Sequence, residues 1–267
     1  MDNKISNASV EFREMDELAA GNSPIHNLHP LVKFIVTMVF IFVTVSFDKY
    51  DLSGIVPMVL FPIMIFEISG IPIKTCFHKL RVVMPLVCAV GLFNPFFDRD
   101  VMLNIGNIPV TGGVISMITL MLKGIFSLMA SFILVATTPM DALCAGLRKL
   151  HIPNILVTLL LLTYRYISIM IEEVAIMTES YHLRAPGQKG IHISAWGSFL
   201  GQLLLRSMDR AEELYNSMQL RGFAGEFYYA DTKPMGLNSV VYFALSIGFI
   251  ALVRLVDVGQ LLGSLFV

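Results

Sequence analysis

Cysteine is scarce in this chain. Cys76, Cys88 and Cys144 are the only three, and no two stand in a C-x-x-C pair, so neither a disulfide framework nor a zinc ribbon is supported. Charge is scarce as well. Charged residues make up 15 % of the 267, apolar residues 55 %, and the mean hydropathy is +0.72, values that exclude an ordinary soluble globule and point to a membrane protein. With 19 basic against 20 acidic residues there is no net basic excess of the kind that nucleic acid attracts. A G-x-x-x-x-G-K-[ST] loop is missing, so the chain does not hydrolyse a nucleotide through a P-loop of its own. The first thirty residues carry Glu11, Glu14, Asp16 and Glu17 and no apolar core, which is not the pattern of a cleavable signal peptide.

What is present in quantity is hydrophobic run. Apolar stretches at 31–47, 52–71, 82–97, 114–136 and 237–256 each approach the length that crosses a hydrocarbon core of about 30 Å, so five spans are expected. Pro57 and Pro62 interrupt the second, which predicts a kink there. Residues 98–113 are polar and glycine-rich and are expected to form a loop. Past the fourth span the character changes. Thr138 is placed as an N-cap, Pro139 at the first helical position and Asp141 where a capping-box acid would sit, opening a short helix to about Leu150. A long helix is expected over 154–184, apolar through Leu162 and then punctuated by Arg165, Glu172, Glu173 and Glu179. A turn at 186–190 leads to a further helix over 194–221, with an apolar stripe at Leu200, Leu204, Ser207, Ala211, Leu214 and Met218, opposite Gln202, Arg206, Asp209, Glu213 and Asn216.

Basic residues set the expected orientation. Residues 71–81 hold Lys74, Lys79 and Arg81, and residues 139–236 hold nine lysines and arginines, whereas the alternate connections are nearly bare, so these two segments and the N-terminus are assigned to the cytoplasm. The chain then divides into a cytoplasmic N-terminal segment with an interfacial elbow (1–30), four spans (31–137), a cytoplasmic helical insert (138–236) and a last span with the C-terminus (237–267). The fold class is all-α and polytopic, about five spans with a cytoplasmic domain of three helices.

Ionisable groups in the spans are few. Glu67 and Arg254 lie near span ends, where snorkelling explains them. Lys123 lies deeper, at an insertion cost of roughly 2.5 to 3.5 kcal/mol, and is expected to pair within the bundle. His26 and His29 share a spacing that suits a metal, but Pro24 and Pro30 bracket them just before a span and no third ligand stands near, so an elbow is the stronger reading. No metal, cofactor or catalytic residue is assigned.

One pattern stands out. Ser180-Tyr181-His182-Leu183-Arg184-Ala185 and Ser217-Met218-Gln219-Leu220-Arg221-Gly222 repeat Ser-x-x-Leu-Arg-small at the ends of two successive cytoplasmic helices. A C-terminal arginine favours its own helix dipole and needs no partner for that. Two copies at the same spacing fit better with two helix tips seated in grooves of a peripheral protein, where a guanidinium can make a bidentate pair with a carboxylate.

With Ser23-Pro24-Ile25-His26-Asn27-Leu28-His29-Pro30-Leu31-Val32-Lys33, Thr137-Thr138-Pro139 and 159–166 with Arg165, these two motifs make nearly the whole chain resemble the transmembrane T components of energy-coupling factor (ECF) importers, the CbiQ/EcfT family. That family's tips are Ala-Arg-Gly-like, and Leu183-Arg184-Ala185 and Leu220-Arg221-Gly222 match them, departing by leucine before each arginine and alanine after the first. The resemblance implies a non-catalytic subunit whose two tips dock into two cytosolic ABC ATPases, with ATP bound by those partners, and whose spans hold a substrate-binding S component. Leu92-Phe93-Asn94-Pro95-Phe96-Phe97-Asp98 resembles the cobalt-type branch, which implies a transition-metal cargo, cobalt favoured, with a vitamin as the alternative. A membrane-embedded enzyme and a stand-alone carrier are the rival readings of the residues alone.

Overall fold

The computed structural model describes residues 2–97, 101–105, 108–188, 190–225 and 235–255. The chain is an all-α polytopic protein. Its helices are α1 (Asp2–Ala19), α2 (Pro30–Val45), α3 (Leu52–Ile55), α4 (Leu60–Ser69), α5 (Ile73–Leu80), α6 (Met84–Phe97), α7 (Gly112–Thr137), α8 (Met140–Lys149), α9 (Asn154–Arg184), α10 (Trp196–Leu220) and α11 (Leu237–Leu255). Two compact units emerge, one of Ala19–Thr138 with Lys233–Val267, the other of Met1–Leu18 with Pro139–Thr232.

The first unit is the apolar bundle. Among the described residues it holds three helices, or interrupted helices, long and apolar enough to cross a membrane, Leu52–Ser69, Gly112–Thr137 and Leu237–Leu255. A fourth crossing forms if α5 and α6, bent by 72°, act as one broken span. The expected first span is shorter than its sequence run: α2 has 16 residues, about 24 Å of helix, because Ser46 closes it before Phe47. The second span breaks as its prolines predict, with a 3-10 turn over Val56–Val59 around Pro57. Residues 98–113 are corrected from a loop: Val101–Ile105 (β1) and Ile108–Thr111 (β2) pair antiparallel as a hairpin, with Leu103 opposite Val110. Asp98 and Arg99 lie outside the described residues.

α2 and α7 form the spine and run antiparallel, since Lys33 of α2 reaches Thr137 of α7 while Lys123 of α7 reaches Val45 and Phe47 beyond the other end of α2. Val36 and Phe40 of α2 are fully buried. Phe40 stacks on Phe61 at 4.6 Å between ring centroids, and Phe66 on Phe132 at 6.3 Å. α6 packs on α7 by close backbone approach: a Cβ at Gly124 would stand 2.5 Å from Val87 Cγ1, and one at Gly91 2.9 Å from Met121 Cγ. Asn94 of α6 donates to Ser116 Oγ of α7 at 3.1 Å on the same seam.

The second unit is built around α9. Pro153 precedes it and Pro186 follows it, and between them no proline or glycine breaks 31 residues of helix. By length and composition α9 also qualifies as a span, whereas the sequence reading expects it among the helices of the 138–236 insert. Its apolar N-terminal half shows Ile155, Leu156 and Leu159 outward, at 54 to 71 % exposure. The start of α8 differs from expectation. Pro139 itself is the N-cap, with no side-chain cap, and Thr138 keeps its hydroxyl buried without a hydrogen-bond partner. α8 ends at Leu150, followed by His151 at φ +60, a left-handed residue of a type that tolerates it.

Cys144 is buried in α8, and burial, with Asp141 adding to it, pushes its thiol up to about 11. At pH 8 its thiolate is therefore rarer by roughly a hundredfold than at an ordinary thiol. Alkylation of Cys144 by iodoacetamide in detergent should lag free cysteine by about that factor and match it only after denaturation, as read by mass spectrometry of quenched samples.

Candidate functional site

Both Leu-Arg motifs end helices of the second unit, and each helix ends by a different device. At α10, Arg221 is the C-cap and Gly222 takes φ +78. The Phe223 N–H bonds to the Met218 carbonyl at 3.0 Å and the Gly222 N–H to the Gln219 carbonyl at 2.9 Å, the paired bonds of a Schellman ending. Only a residue without Cβ enters that turn freely. At α9, Arg184 is the last helical residue and Ala185 the C-cap at φ −126, its N–H bonded to the Tyr181 carbonyl at 3.0 Å. Pro186 forces Ala185 out of the helical region, and the positive φ passes to Gly187 at +93. Alanine after the first arginine therefore costs nothing, because that turn does not need glycine there.

Gly222→Ala is expected to weaken the second tip by about 1 kcal/mol, through backbone strain alone, since no atom lies within 4 Å of the added Cβ. Hydrogen exchange at Gly222 and Phe223 should accelerate about fivefold, and Ala185→Gly should leave the first tip's exchange unchanged.

The side chains that project are leucine and arginine. Leu183 is 79 % exposed and Leu220 90 %, and both arginines are exposed. Among the described residues neither guanidinium has an ion-pair or hydrogen-bond partner. The two serines turn back instead: Ser180 Oγ donates to the Ile176 carbonyl at 2.8 Å and Ser217 Oγ to the Leu214 carbonyl at 3.0 Å. They secure the last helical turns rather than project outward.

What holds the tips apart is the pairing of α9 with α10. The turn between them folds onto the end of α9, where Tyr181 donates its hydroxyl hydrogen to Gln188 Oε1 at 2.9 Å and the His192 N–H reaches the Tyr181 oxygen at 3.3 Å. Further along, Arg206 of α10 forms an ion pair with Glu173 of α9. The helices are thus antiparallel, with Arg184 at the α9–α10 turn and Arg221 at the far end of α10, whose 25 residues extend about 37 Å. A groove of about 310 Å³ lies beside that ion pair, lined by Ile169, Met170, Glu173, Asp209, Arg210 and Glu213.

Two expectations for α10 are corrected here. Its less exposed line runs through Phe199, Leu203, Ser207, Leu214 and Met218, whereas Leu200 and Leu204, expected on the apolar stripe, are 53 and 61 % exposed, and Ala211 is exposed too. Arg206, expected on the solvent face, crosses to α9. Ser207, Leu214 and Met218 keep the expected face, and the departure lies mainly in the first half of the helix, where the inward position falls on Phe199, the only buried residue of α10.

Most of the remaining ionisable candidates have partners within the bundle. Lys123 donates to the Val45 carbonyl at 3.2 Å and to that of Phe47, beyond the C-terminal end of α2. Lys33, which the sequence marks only as part of a motif, is 3 % exposed and donates to the Thr137 carbonyl at 2.6 Å, the last residue of α7. Each helix of the antiparallel pair thereby supplies the cation that satisfies the other's C-terminal end. Arg254 stacks over the Phe47 ring at 4.6 Å, and Glu67 is exposed. His29 N-caps α2 by accepting from the Leu31 N–H at 3.2 Å and gives its own N–H to Ser239 Oγ, while His26 Nδ1 lies 2.7 Å from Ser23 Oγ. These histidines hold the elbow before α2. Among the described residues no three His, Cys, Asp or Glu side chains converge as a metal site.

Comparison with known proteins adds the family. Residues 21–229 match the family model described as CbiQ, cobalt transport protein. An energy-coupling factor transporter transmembrane protein EcfT of Leuconostoc gelidum is 24 % identical over 252 residues, 86 % of this chain and 91 % of that protein. The cobalt transport protein CbiQ of Rhodobacter capsulatus is 35 % identical over 104 residues, 38 % of this chain and 42 % of that one. The nickel permease LarQ of Lactiplantibacillus plantarum is 33 % identical over 91 residues, 34 and 33 % of the two chains. With the matched region running from the elbow before α2 past the second Leu-Arg tip, the chain belongs to the CbiQ/EcfT family, the transmembrane T components of energy-coupling factor transporters.

Proposed function

We propose that this chain is the non-catalytic coupling subunit of an ECF-type importer of a transition-metal ion, docking two cytosolic ATPases through its tips and a substrate-binding S component through its apolar surface. The observation that carries this is the pair of projecting Leu-Arg ends, Leu183-Arg184-Ala185 and Leu220-Arg221-Gly222, on two helices joined by an ion pair. An exposed leucine beside a guanidinium is the composition of an interface anchor, apolar area joined to a directional charge. ATP binding by the partners would draw their grooves together, move the tips and pass the motion along α9 and α10, so that nucleotide biases a two-state element. The outward apolar half of α9 supports a membrane-embedded partner or lipid on that face. The lysines and arginines of 71–81 and 139–236 support a cytoplasmic location for the tips and the N-terminus.

For the cargo, the family description and the cobalt- and nickel-named relatives favour a transition metal, cobalt first. The relatives named EcfT cover more of the chain, which favours a second reading, a module serving a vitamin. The test is isolation of the tagged chain from its native membranes in mild detergent. Two ATPase subunits and a small membrane protein should accompany it, and uptake of labelled Co²⁺ or Ni²⁺ by the intact assembly should name the cargo. A chain isolated alone that retains a transport or hydrolytic activity would contradict the proposal.

A further inference from the structure

The N-terminal helix α1 lies upstream of the matched family region, which begins at residue 21, and clusters with the unit that bears the tips. Its less exposed residues are Phe12, Met15, Leu18 and Ala19, at helical spacing, while Glu11, Glu14 and Glu17 face outward. Three contacts tie this helix to α9. The Tyr164 hydroxyl donates to the Asp16 carboxylate at 2.5 Å, the rings of Phe12 and Tyr164 stand 5.0 Å apart between centroids, and the Arg13 guanidinium lies 3.7 Å from the Glu172 carboxylate.

The next residue of α9 is Glu173, the partner of Arg206 in α10. Successive residues on a helix point about 100° apart, so Glu172 and Glu173 address two different neighbours at one level of α9. α1 on one side and α10 on the other are pinned within a single residue of each other. From Ala19, the end of α1, the chain continues through only ten residues to Pro30, the start of α2. A shift of α9 thus has a covalent route to α2 that bypasses the α7–α8 junction.

We propose that α1 is a positioning strut for the coupling helix α9, held at Tyr164 and Glu172 through Phe12, Arg13 and Asp16, and that it transmits displacement of α9 to the first span. This rests on the coupling function proposed above. Arg13 and Glu172 are 76 and 64 % exposed, and an ion pair so exposed does little alone. The hydrogen bond and ring contact at Tyr164 make the attachment a joint one, and both sites must be loosened to release it. α9 also packs on α8 and α10, so the fold is expected to survive release of α1.

The experiment uses the full chain in lipid nanodiscs, alone and with its co-purified ATPases and membrane partner. Arg13→Glu with Asp16→Ala should speed hydrogen exchange of α9 amides near 164–172 about tenfold and lower the substrate moved per ATP hydrolysed severalfold, with both ATPases still bound. Adding Glu172→Arg to that variant restores one attachment with its charges exchanged and should recover part of both losses. Wild-type exchange and coupling in the loosened variant would overturn the proposal, as would losses that the exchanged pair does not relieve at all. If ATPases fail to bind even the unaltered chain, the coupling function falls, and the exchange arm still decides whether α1 holds α9.

Discussion

Arg184→Glu combined with Arg221→Glu should release both ATPases from the solubilised assembly, with association weakened by at least about a thousandfold. Truncating one member of a desolvated charge pair at an interface typically costs tens to thousands of times in affinity, and reversal would add repulsion from a carboxylate in the proposed groove. Either single reversal should leave one tip docked and produce an intermediate loss. Lysine at both positions preserves charge but not the planar fork, so the corresponding lysine variant should lose about tenfold. The fold should be indifferent to all of them, because both arginines are exposed at helix ends and have no hydrogen-bond or ion-pair partner among the described residues. The measurement is partner retention on affinity resin, with size-exclusion of the same samples to confirm an intact chain. Retention of both ATPases by the double reversal would remove the docking role from these residues.

Lys33→Glu should abolish accumulation of folded chain. The side chain is 3 % exposed, and its ammonium sits at 2.6 Å from the carbonyl that ends α7. A carboxylate there would oppose a carbonyl oxygen at the negative end of a helix dipole, buried within an apolar bundle. Lys33→Met separates charge from volume: it fills much the same space and removes the donor from the Thr137 carbonyl, at a cost of about 1 to 3 kcal/mol. Its melting midpoint in detergent should fall while folded material remains. Lys123→Met should cost less than Lys33→Met, because Lys123 is only partly buried where it meets the end of α2. Equal accumulation of Lys33→Glu and the unaltered chain would show that the reciprocal capping of α2 and α7 does not stabilise the bundle.

The elements that the sequence disclosed are those written in local chemistry. α9 was legible to the residue because Pro153 and Pro186 punctuate an uninterrupted helical run. The two tips were legible because their spacing repeats. What the sequence hid depends on partners far away in the chain. Arg206 has an ordinary solvent-face position by periodicity, and its partner Glu173 stands on another helix, 33 residues away in the chain. Lys33 looked like the basic flank of a span, and its carbonyl partner lies 104 residues on. α1 was missed because 18 residues of low mean hydropathy announce neither a span nor a core, although Phe12, Met15 and Leu18 do recur at helical spacing. The hairpin at 101–111 was missed because glycine-rich turns and short strands share the same composition.

These residues divide the labour in the proposed importer. Lysines hold the spans together, helix endings shape the tips, and the cargo is left to a partner. A chain that couples and does not carry makes a sharp prediction for proteoliposomes of defined composition. Loaded with the chain alone they should take up no Co²⁺, Ni²⁺ or vitamin, with or without ATP. Loaded with the chain, its two ATPases and its membrane partner they should take up one of these only when ATP is supplied, and the Arg184→Glu, Arg221→Glu variant should stop that uptake. Uptake by the chain alone, or ATP-driven uptake that survives the double reversal, would contradict the account.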